Sequence, residues 1–290
     1  MIALVTLIIL TNRIVAYKVY EITHPPRIVS STILNVNGQS INLVNLNTSD
    51  GLKLAGWYLP SKNGAVIVLQ HGYHTNSEEM LPIALMLARH GYGVLLFDFR
   101  GHGKSEGEIV TFGLNEVKDT EAALVFLHSQ PEVNPGKIGL LGNSMGGAVG
   151  ILAAAELEGI RAIVVEGVFA ELEDEIGIGI QVQTPLPATP FTSIFKFFAE
   201  QGSGYRISDI APVEKIGKIS PRPILILQGG ADERIPIDSG ERLFAAADGP
   251  KEYWYEPTIT HAAFSASIPT KYEQRVISFL DQHLIGIQTK

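Results

Sequence analysis

The sequence contains no cysteine. A disulfide framework, a thiolate metal site and a cysteine nucleophile are therefore excluded, and cysteine usage says nothing about compartment. Charge is scarce as well. Asp, Glu, Lys and Arg make up 18% of the chain, the balance is −8, and there is no long basic run. That argues against nucleic acid as a partner, because phosphate binding needs clustered Lys and Arg. Also missing is an uninterrupted apolar run of the ~20 residues that a spanning helix needs. The most apolar stretch, MIALVTLIIL (1–10), is broken by TNR before IVAYKVY resumes. It lacks the basic start and the small-residue cleavage site of a signal peptide. Three readings of residues 1–20 remain: a membrane anchor with Arg13 snorkelling, a helix packed on the protein's own surface, or a signal remnant. The anchor is favoured, which expects membrane contact through this segment and a membrane-associated protein. A cytoplasmic protein is the alternative.

What is present is a core. Apolar residues make up 46% of 290, enough for one large domain with a substantial interior. The segments INLVNLNT (41–48) and LKLAGWYLP (52–60) flank Asp50-Gly51 and read as a β-hairpin. AVIVLQ (65–70) differs: it is short, continuous and β-branched, as a strand buried on both faces should be. GVLLFD (93–98), IGLLG (138–142), AIVVEG (162–167) and PILILQG (223–229) repeat that character. Helical patterns lie between them: 77–91 with Ser77 as the expected N-cap, then 115–131, 145–159, 238–249 and 270–284. This alternation predicts an α/β fold, a mostly parallel sheet with helices on both faces. Ligands in such sheets lie beyond the carboxyl ends of the strands. Residues 168–220 carry no strand signal and are too long for a plain connection. They are expected to form a helical cap, inserted into a core made of residues 21–167 and 221–290.

The chemistry is sought first in GNSMGG (142–147). Gly-x-Ser-x-Gly recurs by chance, but here it follows a strand and opens a helix rich in small residues, the context of a nucleophile elbow. Ser144 is the candidate nucleophile. A serine hydroxyl needs a base. After the last strong strand only His261, in EPTITHAAF (256–264), and His283, in a helical pattern, remain; His261 is expected. The acid should follow a strand and precede His261. GGADERIP (229–236) supplies Asp232, with Glu233 as rival and Asp238 read as a helix N-cap. An oxyanion needs two backbone N–H donors. Met145, after the nucleophile, and Tyr73, after AVIVLQ, are expected to provide them. His71 is read as structural, and His71 with His74 lacks the further ligands of a zinc site. DFRGHGKSEG (98–107) does not have phosphate-loop spacing and is read as shaping the base of the cleft.

Taken together, HGY (71–73), DFRGHGKSEG, GNSMGG, GGADERIP and THAAF resemble an α/β-hydrolase, in order and spacing, over roughly residues 45–284. The chain is most similar to serine hydrolases of the monoglyceride-lipase-like and serine-aminopeptidase-like group, including Bem46-like membrane-associated members. The resemblance implies a Ser144–Asp232–His261 triad, an oxyanion hole on Tyr73 and Met145, and no cofactor or metal. The expected activity is hydrolysis of small apolar carboxylic esters, with Phe191, Phe195, Phe197 and Phe198, together with IGIGI (176–180) and the Pro-rich turn, forming an apolar lid in which Phe191, Phe195 and Phe198 line the substrate pocket; the alternative is that these residues only pack the cap on the core. Glu171, Glu173, Asp174 and Glu175 leave open an amine-recognising aminopeptidase or amidase on the same triad. An N-terminal anchor would instead fit a deacylase at a membrane surface, and a non-catalytic binding protein is the alternative of a different class.

Overall fold

The computed structural model describes residues 2–29, 35–36, 39–183, 187–203 and 205–286. Helix α1 (Ile2–Thr23) comes first. It stops just before His24, Pro25 and Pro26, because proline lacks the N–H a helix requires and restricts the residue ahead of it. Among the described residues no helix is long and apolar enough to cross a membrane. Two short strands, β1 (Asn35–Val36) and β2 (Gln39–Ser40), pair with each other apart from the main sheet.

The main sheet begins with the hairpin of β3 (Asn42–Asn47) and β4 (Lys53–Leu59), in which Asn45 faces Ala55 and Asn47 faces Lys53. Gly51 closes the turn at φ 91°, a conformation that side-chain-bearing residues avoid. The strands β5 (Val66–Gln70), β6 (Gly93–Phe97), β7 (Ile138–Asn143), β8 (Ile160–Glu166), β9 (Ile224–Gly229) and β10 (Lys251–Glu256) run parallel to one another. Across the sheet the order is β10-β9-β8-β7-β5-β6-β4-β3. From β5 the chain moves one way to β6 and then crosses to the other side for β7. The carboxyl ends of β5 and β7 therefore flank a topological switch point, where a crevice opens.

Both faces of the sheet are covered, which is why its strands read as unbroken apolar runs. Alternate residues point opposite ways. Val66, Val68 and Leu140 meet helices α3 (Glu116–His128) and α4 (Met145–Glu156) through Ala123, Leu127, Val149 and Leu152. Ile67, Leu69 and Leu141 meet α2 (Leu81–Arg89) on the other face. Between β8 and β9 stand α5 (Leu172–Gln183), α6 (Ala188–Ser203) and α7 (Pro212–Lys215); after β9 come α8 (Ser239–Ala246), α9 (Phe264–Ser267) and α10 (Pro269–Leu280). Residues 184–186 of the expected Pro-rich turn lie outside the described residues.

One local expectation is corrected. Ser77 does not cap α2. A 3-10 turn, Ser77–Met80, precedes that helix, and Asn76 caps the turn by accepting from the Glu78 amide. Ser77 instead gives both its amide (2.9 Å) and its hydroxyl (2.6 Å) to Oδ1 of buried Asp98. The hydroxyl that a local cap would have used as an acceptor is thus engaged as a donor to a distant buried carboxylate. The same Asp98 accepts the Lys104 amide at 2.8 Å. Close by, Arg100 bonds Asp119 at 2.7 Å and Asp50 at 2.8 Å. The loop 98–107 is held in place by these hydrogen bonds.

Candidate active site

Ser144 sits between β7 and α4 with φ 52° and ψ −121°. Few residues with a side chain hold a positive φ, and such strain collects at functional turns. The neighbouring glycines make the turn possible. A Cβ on Gly142 would lie 2.5 Å from the Gly146 carbonyl oxygen, and one on Gly146 would lie 2.3 Å from that of Gln70. The elbow is therefore pressed directly against the end of β5. Its other support is β8: the Ser144 amide donates to the Glu166 carbonyl at 2.8 Å.

The structure brings the three expected side chains together. His261 Nε2 lies 2.9 Å from Ser144 Oγ, and His261 Nδ1 lies 2.8 Å from Asp232 Oδ2. The Asp232 side chain is fully buried. Its second oxygen, Oδ1, accepts the amides of Arg234 (2.9 Å) and Ile235 (3.0 Å). A carboxylate held in this way has one free direction, towards the imidazole, and fixes the Nδ1–H tautomer. Tyr73 and Met145 flank Ser144 in the same cavity. Met145 is the first residue of α4, so its amide has no partner within the helix. Among the described residues neither amide donates to a protein acceptor.

The rivals stand elsewhere. His283 meets Phe279 edge-on in the C-terminal turn, and Asp238 precedes α8 without a side-chain cap bond. Glu233 lines the cavity, but Asp232 takes the bond to His261. His71 is fully buried, accepts the Phe99 amide at Nε2 (3.0 Å) and donates from Nδ1 to the Gly72 carbonyl (2.7 Å). Burial pushes its pKa down to about 4, so it is a neutral strut. Among the described residues no group of three or more His, Cys, Asp or Glu could hold a metal ion.

The cavity over Ser144 measures about 1280 Å³ and is lined from α1, α5 and α6 as well as from the loops. Phe191 and Phe195 line it; Phe198 does not, contrary to expectation. The Phe198 ring stands edge-on to Phe197, with centroids 5.3 Å apart, and Ala199 takes a place in the lining. Of Glu171, Glu173, Asp174 and Glu175 only Glu175 lines the cavity. Glu171 and Asp174 are paired with Arg242, and Glu173 with Lys196. Glu175 Oε1 has no hydrogen-bond partner among the described residues, and burial raises its pKa to about 8.

Three contributors escaped the sequence reading. Glu166, ending β8, accepts the Phe264 amide at 2.9 Å through Oε1 while its carbonyl holds Ser144. One residue thus ties the serine turn to the histidine loop. Its signal was an acid closing an apolar strand. Glu79 accepts the Gly72 amide at 2.8 Å and so orients the loop carrying Tyr73; burial raises its pKa. The third is α1, whose residues from Ile14 to Thr23 contribute to the cavity wall.

Comparison with known proteins agrees with this fold. Residues 61–195 match the family described as serine aminopeptidase, S33. The uncharacterized protein YfhR of Escherichia coli K12 is 30% identical over 251 residues, 83% of this chain and 81% of that protein. Thiohydrolase aneE of Aspergillus aculeatus is 26% identical over 82% of this chain and 92% of its own. The solved structure of the Pyrococcus furiosus esterase Pf2001 matches with a TM-score of 0.78 at 27% identity, over 91% of this chain and 99% of that one.

Proposed function

The chain belongs to the α/β-hydrolase family of serine hydrolases, and from that premise we propose that it hydrolyses carboxylic esters with an apolar acyl part. The observation that carries the reading is the unbroken hydrogen-bonded chain Asp232–His261–Ser144, opening into a cavity walled by Phe191, Phe195, Ile176 and Ile194.

In this reading His261 Nε2 takes the Ser144 proton as Oγ bonds to the ester carbonyl carbon. The carbonyl electron pair moves onto oxygen, where the Tyr73 and Met145 amides receive it; each such donor contributes about 3 kcal/mol. The bond to the alcohol then breaks, and the alcohol leaves with the proton from Nε2. Water gives a proton to Nε2 and attacks the acyl carbon, and Ser144 departs with its proton restored. Asp232 keeps the imidazole in the required tautomer throughout.

An amine-recognising peptidase fits less well, although the matching family carries that description. Its pocket would need a standing negative charge. Glu171, just ahead of α5, and Glu173 and Asp174 on it are neutralised by Arg242 and Lys196, and Glu175 is raised to about 8 and so is largely uncharged at neutral pH.

The test is labelling with a fluorophosphonate, whose phosphorus is taken up by an activated serine. The expected result is one adduct, on Ser144, that disappears in Ser144→Ala together with about a millionfold of turnover on a short chromogenic ester. A wild-type protein that forms no adduct and turns over no ester sinks the proposal and leaves a binding protein on a hydrolase fold.

A further inference from the structure

We propose that the C-terminal half of α1 is the wall that selects the acyl chain, with Val15 and Val19 as specificity-determining residues; this rests on the esterase reading. Val15, Val19 and Ile22 are spaced by four and three residues, so they share one face of the helix. All three line the cavity that holds Ser144. Val15 is only 7% exposed, whereas Tyr17 (61%) and Tyr20 (60%) on the other side of the helix face outwards. Helix α1 packs against α6, which supplies Phe191, Ile194 and Phe195 to the same cavity.

The wall is fixed to the reacting centre. The Tyr73 hydroxyl donates to the Ile22 carbonyl at 2.6 Å. The Val110 amide donates to the Thr23 carbonyl at 2.8 Å, and the Asn76 side chain to the Ile28 carbonyl at 2.9 Å. The Arg27 guanidinium grips the carbonyls of Ser105 and Gly107. The residue whose amide faces the developing oxyanion therefore holds the end of α1 with its side chain. Direction follows from the chemistry. His261 must protonate the leaving alcohol, so the alcohol lies on the His261 side. The acyl chain then runs the other way, past Tyr73 and along the Val15–Val19 face.

The experiment measures kcat/KM for p-nitrophenyl esters from two to twelve carbons with the full chain. Val15→Trp and Val19→Trp fill the wall and Val19→Ala recedes it. Each methylene that can no longer be buried costs about fourfold. A chain losing three should fall roughly 60-fold relative to the acetate ester in the Trp variants. Val19→Ala should move the optimum to longer chains, and Tyr17→Ala, on the outer face, should leave the profile where it was. Fluorophosphonate labelling of Ser144 is followed in parallel. Labelled Trp variants and a labelled Val19→Ala that all keep the wild-type profile overturn this inference while the esterase reading stands. A Trp variant that does not fold leaves the Val19→Ala shift to decide. Loss of wild-type labelling and turnover would instead remove the esterase reading and this inference with it.

Discussion

Replacing Asp232 by Asn changes one atom and should almost silence the enzyme. The structure says which way the amide must point. Oδ1 accepts two backbone amides, from Arg234 and Ile235. An NH2 group there would face two donors, so the Asn oxygen takes that side and its NH2 faces His261 Nδ1, 2.8 Å away. Nδ1 then has to accept, and the ring proton moves to Nε2. At 2.9 Å from Ser144 Oγ, Nε2 becomes a donor with no lone pair for the serine proton. The wrong tautomer in an otherwise intact Ser-His-Asp site costs about 10⁴ in kcat, or roughly 5 kcal/mol of barrier. Turnover of a short chromogenic ester measures the loss, with a thermal melt to establish that the fold is kept. The buried side chain loses its charge but no backbone bond, so Tm should stay within a few degrees of wild type. A folded Asp232→Asn variant within tenfold of wild type would refute the tautomer argument, and a comparable loss in Glu233→Gln would move the role to that neighbour.

Other perturbations follow from the same geometry. Gly146→Ala would put a Cβ 2.3 Å from the Gln70 carbonyl oxygen; it should cost at least 1–3 kcal/mol and most of the activity, and a urea titration as stable as wild type would contradict it. Arg100→Met leaves Asp119, whose side chain is 0% exposed, without its cation, and should destabilise by about 3–5 kcal/mol, read from the urea midpoint. Burial pushes Glu166 up to about 7 from its ordinary 4.5. The folded chain then holds a proton that the unfolded chain releases, so the contribution to stability is full below the ordinary range and is lost as pH rises through about 7. Glu166→Gln can keep the Phe264 amide bond and has no proton to lose. Its urea midpoint should decline less than wild type between pH 5 and pH 8, and parallel declines would count against the assignment.

Legibility in the sequence tracked how local each determinant was. AVIVLQ, IGLLG and PILILQG show their burial in composition, because a strand covered on both faces has no polar side to display. The elbow was readable because both glycines that permit it, Gly142 and Gly146, lie within two residues of Ser144. The Ser77 expectation went wrong where non-local packing decided the matter, because Asp98 is 21 residues from Ser77; the Phe198 ring lies edge-on to Phe197 beside it on α6 and not in the cavity lining. Glu166 was overlooked because its acceptor role spans 98 residues, to Phe264. Helix α1 carries no mark in its sequence that its Val15–Val19 face meets α6 and Tyr73.

This division has a consequence for substrate. Ser144 follows β7 at once, Asp232 lies three residues beyond β9, and His261 lies five residues beyond β10. Their mutual distances are set by strand register, which pairs Gln70 with Gly142 and Glu256 with Gly229. Any sequence that preserves the register and the three short turns preserves the reacting group. The cavity wall is built differently. α1, α5 and α6 reach it from outside the sheet, and α6 packs on both α5 and α1. A substitution there alters volume or polarity without moving Ser144, His261 or Asp232. Related chains can then share the fold and differ in what they cleave; the similar proteins include one named an esterase and one named a thiohydrolase. The substrate of this chain has to be sought from Val15, Val19, Glu175 and Phe195, because the hydrogen-bonded centre beneath them would serve any acyl group that reaches it.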